Sequence, residues 1–227
     1  MKSNFFIALL LGTFLLTVGC SKENDSFEEQ GVQSKESETN VPLSNDDYDL
    51  LSDDDNDSLS NEASFMAKAS TLDFNDIIAK AKADANAKGL KVKKVVYARG
   101  IQAYELQPSS EWAGKGPLAD LYKASIDDVG DLHVDFSQTI GTHYQHLSTP
   151  AWEFPNGRVI AESASPIPGA GPRDIDWLNV VLQLPNEFGY KRILRIVTFK
   201  GKAPRRTNFR NFKRFGSGYE TVYVFLK

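Results

Sequence analysis

Lys191-Arg192-Ile193-Leu194-Arg195-Ile196-Val197-Thr198-Phe199 is the stretch whose reading decides the fold. Side chains alternate across a strand, so Ile193, Arg195, Val197 and Phe199 share one face and Leu194, Ile196 and Thr198 the other. Both sets are largely apolar, which predicts a central strand covered on both sides. Working outward, residues 90–98, 101–106, 117–123, 132–137, 158–162, 175–184 and 219–226 also read as strands, separated by Gly, Pro, Asn and Asp. Arg99-Gly100, between the first two, reads as a tight turn or bulge. Residues 73–88 form the one helix: Phe74, Ile77, Ile78, Ala81 and Ala85 make a stripe, Thr71 or Asp73 caps its start and Gly89 ends it. About eight short strands without intervening helices predict a mainly β domain over residues 71–227. It is an antiparallel β-sandwich or barrel with one N-terminal helix.

The chain upstream is of another kind. The 227 residues carry a net charge of −4, but residues 21–64 hold fourteen Asp and Glu against Lys22 and Lys35. That stretch is therefore −12, and residues 65–227 are +7. Low hydrophobicity with high charge cannot offset the entropy of ordering, so residues 20–70 read as a disordered acidic linker. Asp53, Asp55 and Asp57 have the spacing of an EF-hand loop, yet Ser58 and Ser64 stand where Gly and a bidentate Glu are needed. Asp57-Ser58-Leu59 resembles a bacterial O-glycosylation motif, which would place a glycan on Ser58.

Residues 1–19 read as a signal peptide. Lys2 precedes fourteen mostly apolar residues, 5–18, too few to span a bilayer. Leu16-Thr17-Val18-Gly19-Cys20 resembles a lipobox, with Thr17 where Leu is usual. The resemblance implies cleavage before Cys20 and lipidation of that residue, anchoring the chain to a membrane without spanning it. Ser21-Lys22-Glu23-Asn24-Asp25 resembles the acidic export signal of Bacteroidota lipoproteins and implies an outer-membrane, surface-exposed location. Cys20 is the only cysteine, which excludes an internal disulfide and a Cys-based zinc site.

Several side chains are candidates for chemistry. His143 and His146 form HxxH with Glu153 nearby, but residues three apart on a strand point to opposite faces, so no metal and no cofactor is expected. His143 and Glu153 are the candidate acid–base pair of a secreted hydrolase or lyase. No Gly-x-Ser-x-Gly elbow, HExxH or phosphate loop is present. His143, Tyr144, Trp152 and Glu153 are the candidate ligand-binding set. Trp152, between Pro150 and Pro155 in an expected loop, is the ring expected to be accessible, whereas Trp177 reads as packing. Gln102, Asn156 and Asp176 are candidates for bonding hydroxyls. Residues 190–216 carry ten Lys and Arg and no acid, with Phe199, Phe209, Phe212 and Phe215 between them. Lys202, Arg205, Arg206 and Arg210 are the candidate anion-binding residues. Given export, the expected partners are an anionic polysaccharide or glycan rather than nucleic acid.

Five short motifs occur in order: Gly100-Ile101-Gln102-Ala103-Tyr104, Gly141-Thr142-His143-Tyr144, Pro150-Ala151-Trp152-Glu153, Asn156-Gly157-Arg158-Val159 and Ile175-Asp176-Trp177-Leu178. With Lys200-Gly201-Lys202-Ala203-Pro204 and the closing residues 219–225, they resemble the domain of unknown function family 3455, over about residues 90–227. The family often has one Cys after the first motif and another after the Ala-Pro. Leu106 and residues 205–208 stand in those regions here. The resemblance implies no known activity. The expectation is a membrane-anchored lipoprotein whose β domain binds an anionic or carbohydrate-like ligand, with the hydrolase or lyase as the alternative.

Overall fold

The computed structural model describes residues 58–203 and 213–227. Cys20, the expected signal peptide, the EF-hand-like aspartates, and Arg205, Arg206 and Arg210 lie outside the described residues. Two helices, α1 (Ser58–Ala69) and α2 (Phe74–Asp84), precede eight strands: β1 (Val92–Leu106), β2 (Trp112–Ile126), β3 (Leu132–His146), β4 (Thr149–Phe154), β5 (Gly157–Ile167), β6 (Trp177–Leu182), β7 (Arg192–Lys200) and β8 (Arg214–Leu226). Each strand pairs antiparallel with the next, and β1 also pairs with β8, so the sheet closes into a barrel. Closure leaves no strand edge with unpaired backbone groups.

Of the two architectures expected, the chain adopts the barrel. The predicted strands at 90–98 and 101–106 are one strand, β1, which passes straight through Arg99-Gly100. Gly100 serves close approach instead of a turn: a Cβ there would run into the Leu118 carbonyl and the Ala119 backbone of β2. The strand missing from the prediction is β4, read as a loop because of its flanking prolines. Pro150 is only the second residue of β4, opposite Gln145, where a missing N–H is tolerated.

Alternation along the strands builds two cores. Val96, Leu121, Trp152, Val159, Leu182, Ile193, Tyr223 and Phe225 fill the barrel interior. Tyr97, Leu194, Ile196, Val222 and Val224 point outward and are covered by Phe65, Ala69, Phe74, Ile78 and Ala81 of the helices. The two-sided apolar pattern of β7 has its explanation here: Ile193 faces the lumen and Leu194 and Ile196 the helix layer. The expected alternation breaks at Val197, whose φ of 49° marks an irregularity in the pairing with β8, so Val197 and Phe199 also pack on the helix side. Asp73 caps α2 by accepting from the Asn75 and Asp76 amides at 2.9 and 3.2 Å. The helix ends sooner than expected, at Asp84, with Asn86 at φ 51° just beyond it.

The expected linker boundary needs correction. α1 lies inside the stretch assigned to the linker, yet Phe65 is 0% exposed and its ring sits 5.0 Å from that of Tyr97. The dense aspartates at 53–57 dominate the local charge and conceal the apolar set Phe65, Met66 and Ala69 that follows them.

Candidate ligand site in the barrel mouth

A cavity of about 360 Å³ opens at one end of the lumen, reached between the ends of β1 and β3 and the starts of β2, β4 and β6. Its walls are chemically unequal. Ile175, Leu178 and Val180 supply an apolar side. Facing the same space are Gln102, Tyr104, His143, Gln145, Trp152, Asp176, Arg195, Lys202 and Tyr223. These positions follow from parity: Ile193 and Arg195 of β7, odd residues of β8 and even residues of β4 and β6 face inward. Leu178, Arg195 and Tyr223 therefore stand side by side on β6, β7 and β8, and the Trp152 ring lies 5.4 Å from that of Tyr223.

Arg195 is the central charge. Its Nε and Nη2 donate to the Asp176 main-chain carbonyl at 3.0 and 2.7 Å, which fixes the plane of the guanidinium. Tyr104 donates its hydroxyl to the Gly201 carbonyl at 2.7 Å, and burial pushes its pKa up to about 12, with Arg195 opposing. His143 is 2% exposed and lies parallel to Trp152, with ring centroids 4.2 Å apart at 9°. Its Nδ1 is 2.8 Å from the Ala151 carbonyl. A carbonyl only accepts, so Nδ1 carries the proton and Nε2 the lone pair. Burial drives the His143 pKa down to about 3, with the Ala151 carbonyl opposing and Arg195 reinforcing the shift. The ring is therefore neutral at any ordinary pH.

Trp152 Nε1 is buried in this region with no hydrogen-bond partner. The Tyr219 and Tyr223 hydroxyls are buried too, each within reach of the other and Tyr223 of Arg195 as well, contacts that act on their titration beside burial. Buried polar groups are normally satisfied, because leaving one unpaired costs about 1–3 kcal/mol.

The family model described as Protein of unknown function (DUF3455) matches residues 86–227. The chain belongs to that family. No curated protein and no solved structure matches the chain. The DUF3455 match begins beyond both helices and takes in every strand, so the lumen and all its polar residues lie inside it, while α1 and α2 precede it.

The four residues expected to bind ligand together are divided by the barrel wall of this DUF3455 domain. His143 and Trp152 face each other from paired positions inside. Tyr144 and Glu153, one residue along each strand, face outward. There the Tyr144 hydroxyl donates to Glu153 Oε2 at 2.6 Å, and Arg158 donates to both Glu153 oxygens at 3.2 and 3.0 Å. The Tyr144 and Arg158 bonds hold the Glu153 carboxyl below its usual range. His143 and Glu153 therefore do not converge as an acid–base pair. His146 also faces outward, 3.5 Å from Arg158 Nη1. Among the described residues no group of three His, Cys, Asp or Glu is placed to hold a metal ion.

Trp152 needs correction too: it is a strand residue, 1% exposed, not a loop ring. Trp177 packs against the helix-side core. Of the hydroxyl-bonding candidates, Gln102 and Asp176 line the cavity and Asn156 sits in the β4–β5 turn. Lys202 lies at the mouth, donating to the Pro172 carbonyl at 3.3 Å. Arg195 and Tyr223 escape a reading of the sequence alone, although a signal exists. An arginine amid Ile193, Leu194, Ile196 and Val197 is a charge in a buried strand, and such a charge needs partners. A larger groove of about 620 Å³ runs along the outer face past Arg99, Asp120, Lys200 and Glu220. Arg99, Lys200 and Glu220 are engaged with neighbours there.

Proposed function

We propose that this domain is a binding module that takes a small solute into the mouth of its barrel, held near a membrane by a lipid on Cys20. The observation that carries the reading is the cavity itself, with Arg195 and Lys202 facing an apolar wall and the buried Trp152, whose Nε1 has no partner, among its lining residues. The cavity volume lies at the small end of the usual range for ligand pockets, about 300–1,000 Å³. Its mixed lining, one apolar wall and a few placed polar groups, is typical of such sites.

The test is calorimetric titration of the full chain with phenylacetate and with glucose. At least one should bind, and Leu178→Trp, which fills the cavity from its apolar wall, should abolish that binding. Failure of both solutes, or binding indifferent to Leu178→Trp, refutes the reading.

The anchoring half rests on the sequence 16–20 and the short apolar stretch before it. A palmitate analogue fed to expressing cells should label the wild type and not Cys20→Ala. An unlabelled wild type removes the anchor, and the acidic stretch that follows would then tether nothing.

A further inference from the structure

We infer that the solute is a small organic carboxylate with an apolar body, its carboxylate on Arg195 and its apolar part against Ile175, Leu178 and Val180. The inference rests on the lumen-binding reading and narrows it to one chemical class. It follows from counting what the cavity offers. Trp152 Nε1 is a donor and nothing else, and a guanidinium and an ammonium accept no hydrogen bond. Arg195, Lys202 and Trp152 thus present donors only, and Trp152 Nε1 has no partner of its own. The single carboxylate among the lining residues is Asp176. Two cations against one anion leave the mouth net positive, and neutral His143 does not change the sum.

Such a site carries an excess of positive charge. A ligand that completes it must bring oxygen lone pairs and favours negative charge. The Asp176 carbonyl accepts from Nε and Nη2 of Arg195 and so fixes the fork in one plane, with the Tyr223 hydroxyl beside it and the guanidinium on the cavity wall. Charge-assisted bonds of this kind are stronger than neutral ones, and the surrounding low dielectric increases the difference. A neutral sugar would leave the positive charge of the mouth unbalanced and offers the Ile175–Leu178–Val180 wall less apolar surface than a hydrocarbon body does. An amphipathic carboxylate satisfies both walls.

The experiment compares matched pairs by calorimetry on the full chain at pH 7: phenylacetate with 2-phenylethanol, and octanoate with 1-octanol. In the wild type at least one carboxylate should bind about tenfold or more tightly than its alcohol, the scale of one charged hydrogen bond. Arg195→Gln should reduce that ratio to about twofold or less, and Trp152→Phe, which keeps a ring and loses the N–H, should weaken the carboxylate selectively. The ratio in the wild type stands even if a variant does not fold. Alcohols binding as tightly as carboxylates, or glucose binding while both carboxylates fail, overturns the carboxylate inference and leaves the lumen reading intact. If none of the five solutes binds, both fall together.

Discussion

His143→Asn should remove part of the acid sensitivity of the fold while leaving its core hydrogen bond in place. The amide of the substituted asparagine can still donate to the Ala151 carbonyl, as His143 Nδ1 does at 2.8 Å, but it does not titrate. In the folded wild type the imidazole pKa is about 3, against 6.5 in an unfolded chain. Between those values the unfolded state binds more protons, so stability is full above pH 6.5 and falls as pH drops toward 3. Each pH unit inside the window costs about 1.4 kcal/mol, so a step from pH 7 to pH 5 removes about 2 kcal/mol through this one group. Glu105, Asp127, Asp135 and Glu153 have carboxyls held below their ordinary range, so their contributions are lost only at more acid pH, below about 4.5. The step from pH 7 to pH 5 isolates the histidine from them. Urea unfolding of both proteins at the two pH values measures it. With a slope of about 2–3 kcal/mol per molar, the wild-type midpoint should fall by about 0.7–1 M more than that of the variant. Parallel shifts, equal within about 0.2 M, would refute the claim that a buried neutral imidazole lies against Trp152.

Phe65→Ala deletes a fully buried ring that ties α1 to Tyr97, and should cost about 3–4 kcal/mol in urea unfolding; a loss below about 1 kcal/mol would return α1 to the linker. Gly100→Ala sets a methyl against the Leu118 carbonyl and the Ala119 backbone, so the β1–β2 pairing must part. Its unfolding midpoint should drop well below that of Gly114→Ala, where nothing lies within 4 Å of the added carbon. Glu153→Gln breaks a half-exposed ion pair with Arg158, a contact of the kind worth less than about 1 kcal/mol, and should leave solute binding unchanged. Loss of binding in that variant would mean that the outer cluster and the lumen are coupled.

Periodicity carries much of the fold. The doubly apolar β7 announces a strand between two cores, and the stripe Phe74, Ile78, Ala81 announces α2. Barrel closure is not legible, because it depends on β1 pairing with β8, residues more than a hundred positions apart, and no local pattern encodes that. The expected number of strands matches for compensating reasons: Gly100 divides β1 in the sequence pattern, and prolines hide β4. The site is half legible. His143 and Trp152 stand out as a pair with chemistry, but Tyr144 and Glu153 join them only by nearness in sequence, and strand alternation sends neighbours to opposite faces. The Arg195 cluster cannot be read in advance. Tyr223 and Arg195 meet Trp152 only once three strands, β4, β7 and β8, curve around a common lumen.

The indole N–H signals of Trp112, Trp152 and Trp177 test the central claim most directly. In a ¹⁵N-labelled full chain, with the three assigned by Phe substitution, phenylacetate should move the Trp152 Nε1–H resonance downfield, saturably, as that donor gains an acceptor. Trp177, packed on the outer face, should stay where it is. A Trp152 signal unmoved by phenylacetate, octanoate and glucose alike would contradict a ligand site in the barrel mouth.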